Sequence, residues 1–323
     1  MPVRTISKQR TWFRYALQLR GSVVPSVLPR ILLCGGFAVL IEFLYWSGVP
    51  LGLPGTSSIV LNLVLGLLLV FRTNTAYERF WEGRKLWGTL INTSRNLARY
   101  IWVSILEKES HDRQDKQAAL YLIVAFAVAT KLHLRQQPIN REELEPLLSA
   151  SRYSKLQMMN NPPLEIAFWL QNYLQQQYQR QCLNVYQLSD IQQLLNTLVD
   201  ILGGCERILK TPIPLAYAIH LKQLLLVYCL MLPFQFVRDL NWWTVPMVMI
   251  ISFTLFGIEE IGLEIENPFG CDPNDLQLDA FCETMKRNID DLMMLEPIST
   301  HANIEANQEI SAFSRRYGNH FED

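Results

Sequence analysis

Residues 56–102 read TSSIVLNLVLGLLLVFRTNTAYERFWEGRKLWGTLINTSRNLARYIW, and this stretch decides the fold. From Thr56 to Phe71 it is a continuous apolar run that stops abruptly at Arg72. Beyond that point Ala76, Phe80, Trp87, Leu90, Ile91, Leu97 and Ile101 recur at helical spacing, while Arg79, Glu82 and Lys85 lie off the stripe. The spacing predicts one long helix that leaves a membrane and packs into a cytoplasmic domain. Its apolar part alone is slightly short for a hydrocarbon core of about 30 Å, so tilt or burial among neighbours has to help.

Working outward, Ile31 to Val49 (ILLCGGFAVLIEFLYWSGV) is long enough to span at about 1.5 Å per residue. The turn-rich GVPLGLPG joins it to the second run as a hairpin. Leu215 to Val237 and Trp242 to Gly262, separated by the short polar RDLN, form a second hairpin with Trp242 and Trp243 as interfacial anchors. Arg4, Lys8, Arg10, Arg14, Arg20 and Arg30 precede the first span, and Arg72, Arg79, Arg84 and Lys85 follow the second. This excess of cations places both termini in the cytoplasm. The run Ala118 to Leu134 competes as a fifth span, but Lys131, His133 and Arg135 crowd its end and an odd span would separate the termini. It reads instead as a buried cytoplasmic core helix.

Between Gln136 and Leu209 the chain is polar, Gln-rich and helical in period, and no alternating strand pattern occurs. The expected fold is therefore all-α, with four transmembrane helices and a helical cytoplasmic portion. Residues 1–30 form an amphipathic cytoplasmic segment, 31–71 a hairpin, 72–214 a cytoplasmic helical region, 215–262 a second hairpin and 263–323 a cytoplasmic C-terminal segment. From Met285 onward the tail turns polar, and reads as surface-wrapping or partly disordered.

Composition narrows the function. With 50% hydrophobic and 18% charged residues the chain is more apolar than an ordinary soluble domain, which carries about 25% charge. Twenty-nine Lys and Arg against 30 Asp and Glu leave no footprint for nucleic acid. The six cysteines form no CxxC pair and read as free thiols. The five histidines fall in no HxxxH or HxxE pattern, and GxGxxG, GxxxxGK and GxSxG are absent. No enzyme activity, cofactor or ATP-driven pumping is expected. The basic N-terminus lacks a small-residue cleavage site and reads as retained sequence rather than a signal peptide.

The segment after Phe71, together with TPIPLAYAIH at 211–220 and IENPFGCDPNDLQLDAFCETM at 265–285, resembles the bestrophin family, more closely its bacterial and plastid branch. The resemblance covers roughly residues 10 to 295. It implies a homopentameric funnel whose second helices line a narrow apolar neck, with a wide cytoplasmic vestibule that ends in a second constriction. The implied function is passive conduction of small anions, chloride or bicarbonate. The partners it implies are further copies of the chain, membrane lipid and the permeant anions.

Carried onto this chain, the neck lies on the face holding Thr56, Val60, Val64 and Leu68, four residues apart. Such a ring gates by dewetting. Animal relatives place bulkier aromatic side chains here. Asn62 and Gly66 on the other face suit close helix contact and an interhelical hydrogen bond. Arg72, at the cytoplasmic exit of the neck, has two readings: a cation that concentrates anions, or a snorkelling interface arginine. The lower aperture falls on Thr211 and Ile213, where Pro212 and Pro214 also end the preceding helix.

The acidic run Glu259, Glu260, Glu264, Glu266, Asp272, Asp275 and Asp279 invites a calcium reading. Asn267, Asp272 and Asp275 keep oxygen ligands where animal bestrophins form a calcium clasp. Cys271, Pro273 and Asn274 interrupt the cluster and Glu264 replaces an amide, which favours a solvated or subunit-pairing surface. The rival functions are a cation-permeable channel of the same fold, a secondary transporter, for which Glu42 is the only acid well inside a span, and a non-conducting scaffold. The bacterial inner membrane and the thylakoid membrane are the expected locations.

Overall fold

The computed structural model of this chain describes residues 17–19, 21–52 and 59–297. Ten α-helices are described: α1 Val24–Trp46, α2 Ile59–Ser104, α3 Asp112–Leu134, α4 Arg141–Leu144, α5 Ala150–Leu156, α6 Pro162–Gln179, α7 Val185–Lys210, α8 Leu215–Leu240, α9 Thr244–Glu266 and α10 Leu278–Met293. A 3-10 turn, Asn241–Trp243, joins α8 to α9. Among the described residues there is no strand, and the fold is all-α as expected. Among the described residues, four segments are long and apolar enough to cross a membrane: α1, the part of α2 from Val60, α3, and the continuous run Leu215–Glu266 that holds both α8 and α9.

The chain divides into two compact units, residues 1–85 with 206–276 and residues 86–205 with 277–323. Helices α2 and α7 contribute to both. In the first unit, α1, α8 and α9 pack together with the start of α2 around Ile31, Cys34, Leu69, Leu225, Leu232 and Val248. The outer faces of these helices are apolar too, with Leu33, Phe43, Leu63, Ile250 and Phe253 exposed. Helices that are apolar inside and out belong in a medium as apolar as themselves, where close packing rather than water exclusion holds them together.

The second unit has the opposite pattern. Helix α3 is its centre, with 78% of its most apolar stretch buried within the chain, against 22–39% for the other three segments. It buries Leu120, Ile123, Phe126 and Leu132 against α6 and α10. Such cover marks a core helix, the reading favoured over a fifth span. Lys131 is buried inside this helix, bonded to Glu143 and, at 2.8 Å, to Asp279.

The boundaries shift for local reasons. Helix α1 begins at Val24, a full turn and more before Ile31, because Pro25 sits in the first turn, where its missing N–H costs nothing. Helix α2 runs unbroken for 46 residues, about 69 Å at the α-helical rise. Helices α8 and α9 extend past the expected ends to Leu240 and Glu266. The cysteines are free thiols. The N-terminal segment before Leu17 and the tail from residue 298 lie outside the described residues.

Candidate functional site

Helix α2 has two kinds of face. Leu65 and Leu69 turn inward and are almost completely buried. Val60 and Val64 turn outward, 72% and 45% exposed, and Leu68, one turn further on, is half-buried. Thr56, the first residue of the expected neck, lies outside the described residues. Asn62 and Gly66 are also exposed, and a Cβ added at Gly66 would meet nothing within 4 Å. The close helix contact expected there is not made within this chain.

One turn past Leu68 the polarity changes. Arg72 is 2% exposed, neither snorkelling outward nor open to solvent. Its Nη2 donates to Glu266 Oε2 at 3.1 Å, while Nε and Nη1 have no hydrogen-bond partner. Glu266 closes the last turn of α9, and its other oxygen accepts from the Ile213 backbone N–H at 3.1 Å. A single carboxylate thus ties α2 to the Thr211–Pro214 turn.

That turn is bound to α2 from two further points. Arg79 Nη2 donates to the Ile208 carbonyl at 2.6 Å, Nη1 to the Thr211 carbonyl, and Nε to the Glu266 carbonyl at 3.1 Å. Tyr217 Oη donates to the Leu68 carbonyl at 3.0 Å. Pro212 and Pro214 cannot supply backbone donors, so α7 stops and α8 begins with Pro214 as its cap. Between the turn and α2 lies an open recess of about 580 Å³, bordered by Leu68, Arg72, Thr75, Arg79, Thr211 and Ile213. The end of the expected neck and both residues of the expected lower aperture therefore border one cavity.

The acidic run resolves into pairs. Arg30 of α1 reaches Glu260 at 2.8 Å and Glu259 at 3.5 Å, and Glu264 accepts from Asn274 at 2.6 Å. In the loop after α9, Asn267 accepts from the Phe269 N–H at 3.3 Å, and Asp275 accepts from the Asp272 N–H at 2.7 Å. A Cβ at Gly270 would fall 2.5 Å from Asp275 Oδ2, so glycine is what lets this loop close on itself. The side chains of Asn267 and Asp275 close turns on backbone N–H groups, and Asp272 takes part through its backbone.

In the second unit, His111, Asp112 and Asp115 bring ligand atoms within 4.8 Å of one another. Asp112 is already held by Arg180, at 2.7 Å and 3.2 Å, and by the backbone N–H groups of Lys108 and Glu109. The Arg180 bond, with those N–H bonds, keeps its carboxyl far below the usual carboxylate range although burial opposes it. This cluster is a helix-start ion pair. In the sequence Glu266 reads only as part of the acidic run, Arg30 and Arg79 read as cations that orient the spans, and Tyr217 has no role; none of these readings anticipates the contacts made here.

A profile of bacterial and fungal bestrophin proteins matches residues 4–291. The chain belongs to the bestrophin family. This bestrophin is 64% identical over 293 residues to a voltage-dependent anion channel-forming protein of Nostoc sp., covering 91% of this chain and 95% of that one. It is 32% identical over 301 residues to a voltage-dependent anion channel-forming protein of Escherichia coli, covering 93% and 96%. The crystal structure of a bacterial bestrophin homologue from Klebsiella pneumoniae superposes with a TM-score of 0.76 at 30% identity, covering 84% of this chain and 99% of that one. Bestrophin membership and the apolar helices make this an integral membrane protein.

Proposed function

We propose that this bestrophin is the subunit of a homopentameric channel that conducts small anions, chloride or bicarbonate, passively down their electrochemical gradient. The observation that carries the reading is the bareness of α2. Only 22% of its apolar stretch is covered by its own chain, the least of the four apolar segments among the described residues, although it is one of two helices that contribute to both units. A helix so exposed, in a protein similar over nearly its whole length to anion channel-forming relatives, suits a ring of copies around a pore.

In that assembly Thr56, Val60, Val64 and Leu68 form the apolar neck, which closes to ions when it dewets. Arg72, paired with Glu266, fixes the neck exit, and Thr211 with Ile213 forms the lower aperture. Residues 31–71 and 215–262 are the membrane hairpins, and residues 1–30, 72–214 and 263–323 lie in the cytoplasm. The membrane is a bacterial inner membrane or a thylakoid. The loop holding Asn267, Asp272 and Asp275 closes without calcium.

The test is the reversal potential of purified protein in planar bilayers under a potassium chloride gradient, repeated with Val60→Ala and Val64→Ala together. A reversal near the chloride potential, with conductance raised by the double variant, supports the proposal. A reversal near the potassium potential overturns the ion, unchanged conductance in the double variant overturns the neck, and no current overturns the channel.

A further inference from the structure

The strongest feature that the neck does not account for is the charge balance around the recess. Arg72 has Glu266, Arg207 has Glu82, and Lys210 has Glu206. Arg79 has no carboxylate: its three bonds all go to neutral main-chain carbonyls, and among the described residues no acid forms an ion pair with it. Two of these carbonyls, those of Ile208 and Thr211, lie at the end of α7. The third, that of Glu266, closes α9, so two helix C-termini, each with a partial negative charge spread over its last carbonyls, face the guanidinium without the localised full charge of a carboxylate.

We propose that Arg79 sets the preference of this channel for anions, and that the recess beside it is a site where a small monovalent anion pauses. The inference rests on the channel reading given above. The recess is chemically suited to a weak, passing stay. Thr75 Oγ1 donates to the Phe71 carbonyl at 2.9 Å, Tyr217 Oη to the Leu68 carbonyl, and Thr211 Oγ1 to the Arg207 carbonyl. With the hydroxyl protons turned to the backbone, Arg72 paired with Glu266, and the rest of the wall made by Leu68, Phe71, Ile213 and the prolines, an anion is held by charge and little else. Conduction requires that combination: attraction enough to enter and contacts few enough to leave. Because three bonds fix the guanidinium, the charge stays at one place along α2.

The experiment measures the chloride-to-potassium permeability ratio from reversal potentials in planar bilayers, for wild type, Arg79→Gln, Arg79→Lys and Thr75→Glu. The expected ratio falls by about threefold or more in Arg79→Gln, since a single focused charge raises local counter-ion concentration on that order. Arg79→Lys keeps the charge without the fork and retains the ratio within about twofold. Thr75→Glu leaves Arg79 and its backbone bonds in place but adds a carboxylate to the recess, and lowers the ratio as well. This second route keeps the test valid if Arg79→Gln fails to assemble. A wild-type ratio in either Arg79→Gln or Thr75→Glu overturns the inference while leaving the channel reading intact. A wild-type protein that passes no chloride overturns the channel reading itself, and the pausing site with it.

Discussion

Replacing Glu266 removes the only hydrogen-bond partner that the buried Arg72 guanidinium has among the described residues. The Arg72 side chain is 1% exposed, that of Glu266 is 17% exposed, and two of the three Arg72 nitrogens already lack partners. Breaking a buried pair from one side leaves an uncompensated charge and costs about 3–5 kcal/mol, whereas exposed pairs are worth about 0–1 kcal/mol. Glu266→Gln keeps the shape and one acceptor for the Ile213 N–H but turns an amide NH2 toward Arg72, so it loses both the charge and the Arg72 hydrogen bond, about 3 kcal/mol or more. Glu266→Ala also strands that N–H and adds about 1–3 kcal/mol. Adding Arg72→Met to Glu266→Gln removes the stranded cation and recovers much of the loss. The assay is reversible unfolding in mixed micelles followed by tryptophan fluorescence, with Glu145→Gln as the comparator. That residue pairs with Arg141 where both side chains are at least half exposed, 71% and 50%. A Glu266→Gln cost no larger than the comparator's, or a double variant as unstable as the sum of its parts, refutes the reasoning.

Two further outcomes follow from the same geometry. Burial pushes the Asp279 carboxyl upward, but hydrogen bonds from Arg135 and Lys131 outweigh it and hold it at about 2, below its ordinary 3.8. A depressed acid stabilises above its unfolded value and loses that contribution as pH falls, so wild type minus Asp279→Asn stability should decline between about pH 4 and 2; a pH-independent difference in thermal melts contradicts it. A Cβ at Gly83 would lie 3.0 Å from Pro268 Cγ and 3.1 Å from Phe269 Cε1, where rigid rings have little room to yield. Gly83→Ala should therefore cost about 1–3 kcal/mol, and a melting temperature equal to wild type would show that the loop gives way freely.

The parts of the fold that the sequence disclosed are those written in local periodicity. Helix α2 is legible through Arg72 because the stripe from Ala76 to Ile101 keeps its phase, and a helix interrupts only when its backbone has a reason to stop. The core helix α3 is legible because its apolar run is short and ends among cations. The start of α1 is not, since Val24 to Arg30 mixes two prolines with an arginine and looks like loop to any reading of apolar content, although a first turn tolerates proline. Among the site residues, Val60 and Val64 were placed on one face by spacing alone. The coming together of Leu68 with Thr211 and Ile213 depends on hydrogen bonds spanning 149 residues from Tyr217 and 132 residues from Arg79, and no local pattern encodes those.

Charge is where the reading from sequence and the folded arrangement part most clearly. A sequence gives the positions of charges but not which of them cancel, and function depends on what is left over. The acidic run from Glu259 to Glu266 reads as a solvated or subunit-pairing surface, yet Arg30, Asn274, Arg72 and a backbone N–H of the same chain occupy it. Arg72, at the exit of an apolar run, reads either as a cation that concentrates anions or as a snorkelling interface arginine, yet it is buried and spends its charge on Glu266. Arg79 reads as a residue off the apolar stripe two turns on, yet it is fixed by three bonds to carbonyls. Because a guanidinium can satisfy its donors on neutral oxygens, it can be firmly fixed and still keep much of its charge. A pore needs a charge with both properties, and in this chain Arg79 combines them.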